Sequence, residues 1–164
     1  MHRLARAFTN LVLAAVLMLP ATAPAAGAGM DLGKALKIGH GKTMVIEFTD
    51  PDCPYCRRGA AFFLGRTDVT RYIFFNPLPM HPHAREKAAF ILSSPDPAKT
   101  YEGVLSGKLD TTTFPAPTAA SAAILGEQMA IAREEGFNST PTYIICGRIV
   151  HGFNQQKIEQ MLGQ

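Results

Sequence analysis

Residues 48–59 read FTDPDCPYCRRG and set two cysteines, Cys53 and Cys56, three positions apart. Directly before them runs Thr43–Thr49 (TMVIEFT), β-branched or apolar at nearly every position, as a strand buried on both faces would be. Directly after them, residues 57–64 (RRGAAFFL) read as the body of a helix whose first turn holds both sulfurs. Three chemistries fit such a pair: metal ligation, a structural crosslink, or a reversible dithiol. Tetrahedral zinc needs four ligands, and no second Cys-x-x-Cys exists. His81 and His83 offer two imidazoles, but histidines in such a turn are expected in solvent, so no metal is assigned. A crosslink closing so short a loop constrains the unfolded chain little. The dithiol reading leads.

A dithiol at a helix start acquires its reactivity from the backbone. The first sulfur sits beside unpaired N–H groups at the positive end of the helix dipole. This draws its pKa from about 8.5 down into the range ~3.5–7.5 and yields a thiolate at neutral pH. The second sulfur, one turn on, can attack a mixed disulfide formed by the first. Cys53 is thus expected to attack and Cys56 to resolve, with Pro54 and Tyr55 between them tuning the pair and meeting substrate. No cofactor beyond the Cys53–Cys56 disulfide is called for.

Two further positions bear on this chemistry. Glu47 interrupts the apolar strand six residues before Cys53, where a carboxylate needs a partner or a task; it is expected to accept the proton of Cys56. Residues 138–142 (NSTPT) precede a second strand-like run, and a Thr140–Pro141 bond held cis is expected at that strand entry. It would offer Thr140 as a pairing edge to an extended substrate chain.

The N-terminus bears on where this chemistry happens. Arg3 and Arg6 precede a nine-residue apolar run, Leu11–Leu19, and then Pro20 and small residues with Ala-x-Ala sites such as Ala23/Ala25. That is the three-part pattern of a cleavable secretory signal over residues 1–25, too short for a membrane span. Export places the cysteines in an oxidising compartment, the bacterial periplasm. Loss of Arg3 and Arg6 lowers the formal charge from +3 to +1, with no basic patch for nucleic acid. Cys146, third and unpaired, is expected as a buried thiol in an apolar strand.

The remaining pattern supplies the architecture. Residues 31–38 (DLGKALKI) read as a short amphipathic helix within an N-terminal or linker segment, 26–41. Val69–Phe75 reads as a strand. Helices are expected over 82–93, from the Asp96-Pro97 cap through Leu105, and over 116–135 up to Gly136. Thr142–Cys146 and Ile149–Phe153 form a hairpin about Gly147-Arg148, and residues 154–162 a closing helix. This order resembles the thioredoxin-type architecture, and an α/β (α+β) chain with a thioredoxin-like domain over 42–164 is expected. A helical insertion, about 80–136, lies between the second strand and the proline hairpin.

With these residues in view, the chain resembles the periplasmic DsbC/DsbG-type disulfide isomerases and reductases of the thioredoxin superfamily. The resemblance runs from about Lys34 to Leu162. It rests on FTDPDCPYC, on TPTYIICGRIVHGF (140–153) and on the helices containing YEGVLSGK (101–108). It implies that Cys53 attacks, Cys56 resolves, Thr140 and cis-Pro141 face them, and Glu47 assists proton transfer. It further implies disulfide-containing or unfolded exported proteins as partners and a membrane reductant of the DsbD type. Such isomerases carry an N-terminal dimerisation domain, for which Gly29–Ile38 would supply only a linker, so a monomer is expected. The family's second disulfide has no counterpart between Cys56 and Cys146. The expected function is a periplasmic thiol–disulfide oxidoreductase. The alternatives are an isomerase or peptide-holding chaperone, or a Cys/His metal carrier.

Overall fold

The computed structural model describes residues 25–163; the signal segment expected over 1–25 lies outside them, save Ala25. Five strands form one sheet: β1 (Leu36–Gly39), β2 (Thr43–Thr49), β3 (Val69–Phe75), β4 (Thr142–Ile145) and β5 (Arg148–His151), in the order β1-β3-β2-β4-β5. β2 and β3 run parallel and every other pairing is antiparallel. The two central strands are the two apolar runs, and the crossover between them is α1 (Pro54–Phe63). A parallel pair needs such a crossover, which is why the dithiol sits at the end of a central strand and the start of a helix.

The insertion holds α2 (Ala84–Ser93), α3 (Pro97–Leu105) and α4 (Ala119–Glu134), and α5 (Gln155–Leu162) closes the chain. Their N-termini follow local chemistry. Asp96, Thr118 and Asn154 accept from the backbone N–H of Lys99, Ser121 and Lys157, caps worth about 1 kcal/mol each. The first and last insertion helices start at Ala84 and Ala119, two and three residues later than the sequence pattern indicates.

Residues 31–38 depart from expectation. They form one 3-10 turn, Leu32–Lys34, followed by β1, which pairs with β3 through Leu36↔Ile73 and Ile38↔Arg71. Leu36 and Ile38 turn toward the core on the dithiol side while Lys37 is exposed, a period of two. Leu32 and Ala35 pack on the opposite side of the sheet. Gln128 of α4 extends this junction, donating to Lys34 O (2.7 Å) and accepting from Phe75 N–H (2.9 Å) just beyond the ladder.

The hairpin also turns one residue earlier than expected, at Cys146-Gly147, with φ of 50° and 70°. Two left-handed residues in a two-residue loop match the right-handed twist of the flanking strands. The turn carries Cys146 out of the strand, so this thiol is exposed rather than buried.

Side chains divide between the two faces of the sheet. One face presents Val45, Glu47, Arg71, Ile73, Phe75 and Tyr143 to α1, α3 and α5, and the dithiol lies within the cluster formed there with Tyr101 and Leu105. The other presents Ile46, Phe48, Phe74 and Ile144 to Ala132, Phe137 and the N-terminal segment.

Candidate active site

Cys53 is the N-cap residue of α1 and Pro54 opens the helix, where its missing N–H is no loss. Cys56 lies one turn along and is fully buried. Both cysteines are free. Cys53 is itself only 4% exposed, more enclosed than the sequence pattern implies, whereas Pro54 and Tyr55 face solvent.

The two sulfurs differ sharply in acidity. Cys53 is lowered to about 5, chiefly because the Cys56 thiol donates to it, then because the backbone N–H groups of Cys56 and Tyr55 and the Thr140 side chain favour the ionised form. The two backbone donors are the unpaired first-turn groups expected from the sequence. Burial pushes the Cys56 thiol upward, and the neighbouring Cys53 sulfur adds to this.

Opposite Cys53 lies the loop before β4, where the Thr140–Pro141 peptide bond is cis. The Cys53 thiol donates to Thr140 O at 3.5 Å, a span of 87 residues in sequence. The carbonyl of Pro141 accepts from Gly152 N–H (2.8 Å), which fastens this loop to β5. Among the described residues, three buried hydroxyls lack hydrogen-bond partners, those of Tyr143, Thr49 and Thr140. The last two belong to the side chains that favour ionisation of Cys56 and Cys53 respectively. Thr49 was not singled out in the sequence; its place at the end of β2, four residues before Cys53, was the available signal.

Glu47 is fully buried on the dithiol side of the sheet, but both its oxygens are engaged. Oε2 accepts from Arg71 Nη2 (2.6 Å) and Nε (3.2 Å), and Oε1 accepts from Tyr101 Oη (3.2 Å). Arg71 Nη2 also donates to Tyr101 Oη (2.8 Å). No hydrogen bond among the described residues joins Glu47 to either sulfur. Arg71 went unremarked in the sequence, although a lone arginine inside an apolar strand needs an acidic partner as much as Glu47 needs a basic one.

A second acid, Asp50, was likewise missed. Fully buried in the β2–α1 loop, it accepts through Oδ1 from Asp52 N–H (2.8 Å) and Cys53 N–H (3.2 Å). Its Oδ2 accepts from Leu78 N–H (2.7 Å) and pairs with His81 Nδ1 (2.8 Å). Its own N–H donates to Cys56 Sγ (3.3 Å). His81 is therefore held rather than solvated; His83 is the exposed one.

Residues 32–163 match the family described as "Thioredoxin-like domain". The chain belongs to that family. A disulfide interchange protein of Neisseria gonorrhoeae is 33% identical with a TM-score of 0.69, the match covering 82% of this chain and 96% of that one. A probable thiol:disulfide interchange protein DsbC of Bordetella avium is 32% identical over 69% of this chain. The match spans only 39% of that relative's length. A periplasmic thioredoxin-like protein of Salmonella enterica serovar Typhimurium shares the fold at 21% identity and a TM-score of 0.66, covering 84% and 92% of the two chains. Among the described residues, no group of three or more His, Cys, Asp or Glu side chains could hold a metal ion.

Proposed function

We propose that this thioredoxin-like domain is a thiol–disulfide oxidoreductase that reduces or exchanges disulfides of exported proteins in the periplasm. The observation that carries the reading is the split acidity of the pair: an easily ionised Cys53 against the Thr140–Pro141 loop, backed by a buried, protonated Cys56. The 33% identical disulfide interchange protein supports it.

In the proposed reaction the Cys53 thiolate attacks one sulfur of a substrate disulfide. A Cys53–substrate disulfide forms, the substrate S–S bond breaks, and the other substrate sulfur leaves as a thiolate and takes a proton. Cys56 then gives up its proton and attacks the Cys53 sulfur, releasing the second substrate thiolate. Two electrons pass to the substrate and the Cys53–Cys56 disulfide remains. Thr140 and Pro141, with exposed Pro54 and Tyr55, would receive the substrate's extended chain. Glu47 would assist the loss of the Cys56 proton from its place in the Arg71–Tyr101 network. A membrane-bound dithiol reductant of the DsbD type would return the two electrons. The domain would act as a monomer after removal of an N-terminal signal.

Replacing Cys56 with Ala tests this. The variant should accumulate a mixed disulfide with an oxidised substrate protein through Cys53, cleaved by dithiothreitol, whereas Cys53→Ala should accumulate none. Absence of both the trapped species and wild-type turnover would overturn the reading.

A second reading, a peptide-holding chaperone, is favoured by the exposure of two large apolar side chains, Tyr55 in the first turn of α1 and Met80 in the segment after β3. If Cys53→Ser with Cys56→Ser keeps undiminished holding of unfolded protein and redox exchange has no effect of its own, that reading prevails.

A further inference from the structure

The Asp50–His81 pair lies outside the reaction just described, yet it touches both sulfur-bearing positions. Asp50 Oδ1 fixes the backbone of Asp52 and Cys53 from within the β2–α1 loop. Oδ2 ties that loop to the segment after β3 through Leu78 N–H and the His81 ring. The carboxylate has no exposure, while the imidazole side chain is 21% exposed and so exchanges protons with solvent. One buried anion thus joins the attacking cysteine to the titratable side chain on the neighbouring loop.

The charges around His81 give the pairing a direction. From the β2–α1 loop it faces Asp50, Asp52 and the Cys53 sulfur, and all three favour its protonated form, Asp50 foremost through its hydrogen bond. Lys87 of α2 is occupied with Asp52 at 2.5 Å and reaches Asp110 at 3.5 Å. Arg57 of α1 lies 3.9 Å from Asp52 and is paired with Asp110. His83 turns toward Glu86. Lys87 and Arg57 are thereby matched to other acids, which leaves the His81 imidazolium as the cation committed to Asp50. Coupling between two titrating groups is reciprocal: if ionised Cys53 favours protonated His81, protonated His81 favours ionised Cys53 to the same degree.

We propose that His81, acting through Asp50, is a positioning residue of the dithiol: its imidazolium locks the loop carrying Cys53 and supports the ionised sulfur, and this support is withdrawn as the ring loses its proton. The inference rests on the reading of Cys53 as the attacking sulfur.

Reciprocity supplies the test. The His81 ring is titrated by NMR in the reduced protein and in the oxidised protein, where Cys53 carries no charge. Its proton affinity should be roughly 1.5- to fivefold higher in the reduced state, the range of a partly exposed ion pair. Equal midpoints in the two states overturn the proposal. His81→Asn keeps a donor near Asp50 but cannot titrate. Against glutathione, its equilibrium should shift toward the disulfide by the same factor at pH 6 and converge with the wild type well above the His81 midpoint. A constant offset at every pH would mean a purely structural role and overturn the proposal. Should the variant not fold, the wild-type titration decides alone. The underlying reading fails separately, on an alkylation profile in which Cys53 ionises like an ordinary thiol. An acidic Cys53 with an indifferent His81 removes only the present inference.

Discussion

Arg71 of β3 reaches across to Glu47 of β2 and holds one carboxylate oxygen through two nitrogens, at 2.6 and 3.2 Å, with neither side chain more than 4% exposed. The parallel register pairs Val45 with Arg71 and Glu47 with Ile73, so the two charges sit diagonally on one face, with Tyr101 of α3 completing the network. The guanidinium also lies 4.9 Å from the Phe63 ring and 5.2 Å from that of Tyr101. An ion pair so enclosed contributes little over an apolar pair but is expensive to break by halves. Arg71→Met should therefore lower unfolding stability by about 3–5 kcal/mol, and Arg71→Met with Glu47→Leu should recover most of it. Urea denaturation of both variants checks this; a single variant within about 1 kcal/mol of wild type would show the pair is not structurally coupled.

Gly59 lies on the buried side of α1, where an added Cβ would collide with the Tyr143 hydroxyl. That hydroxyl is buried and has no hydrogen-bond partner among the described residues. Gly59→Ala gains helix propensity but overpacks this contact, so it should lower stability by about 1–3 kcal/mol. Tyr143→Phe removes the obstructing atom together with its unmet hydrogen bond, and should be neutral or stabilising alone. In the double variant most of the loss should be recovered, as read by thermal unfolding. Additive behaviour of the two changes would place the strain elsewhere.

The central strands, α1 and the cis-proline loop were legible because their signals are local: nearly continuous apolar runs, a helical stretch directly after the cysteines, a Thr-Pro before a strand. β1 was not, since apolar positions 32, 35, 36 and 38 fit a helical turn as well as an alternating strand. Only pairing with β3 decides between them. The site shows the same division. Cys53 and Cys56 declare themselves by spacing, whereas Asp50 and His81 stand 31 residues apart and meet only because β3 returns alongside β2. Gln128 has no sequence signature at all, since its amide serves backbone groups 53 and 94 residues away. Cys146 shows how one residue of register matters: with the turn displaced by one, a strand thiol becomes an exposed loop thiol.

The hairpin turn offers a test of that register. Cys146 adopts φ 50°, a left-handed conformation unfavourable for most L-residues and tolerated by Asn. Asn-Gly is the preferred pair for a two-residue turn with both φ positive. Cys146→Asn should thus raise stability by about 0.5 kcal/mol and leave the glutathione equilibrium of Cys53–Cys56 unchanged. Mass spectrometry of briefly alkylated reduced protein should find Cys146 modified and Cys56 intact. Rapid modification of Cys56 would contradict its burial.

The acidity of Cys53 fixes the sign of a pH dependence. With its pKa lowered to about 5 in the folded reduced protein, against about 8.5 in the unfolded chain, the unfolded state binds the extra proton between those values. Stability of the reduced form contributed by this sulfur therefore rises with pH from about 5 to about 8.5 and is lost as pH falls through the folded value. Cys56, pushed upward, stays protonated across this window and adds no slope. In the disulfide form neither Cys53 nor Cys56 is left to ionise, and Cys146 is a free thiol in both forms, so the reduced form should gain on the disulfide form over the same interval. Denaturation of both redox forms at pH 4.5 and pH 8 checks the difference. Cys56→Ala, which removes the largest contribution to the lowered value, should shift Cys53 ionisation upward and flatten the slope. A reduced form no more stable at pH 8 than at pH 4.5, relative to the oxidised form, would leave Cys53 without the ionised state that its attack on a disulfide needs.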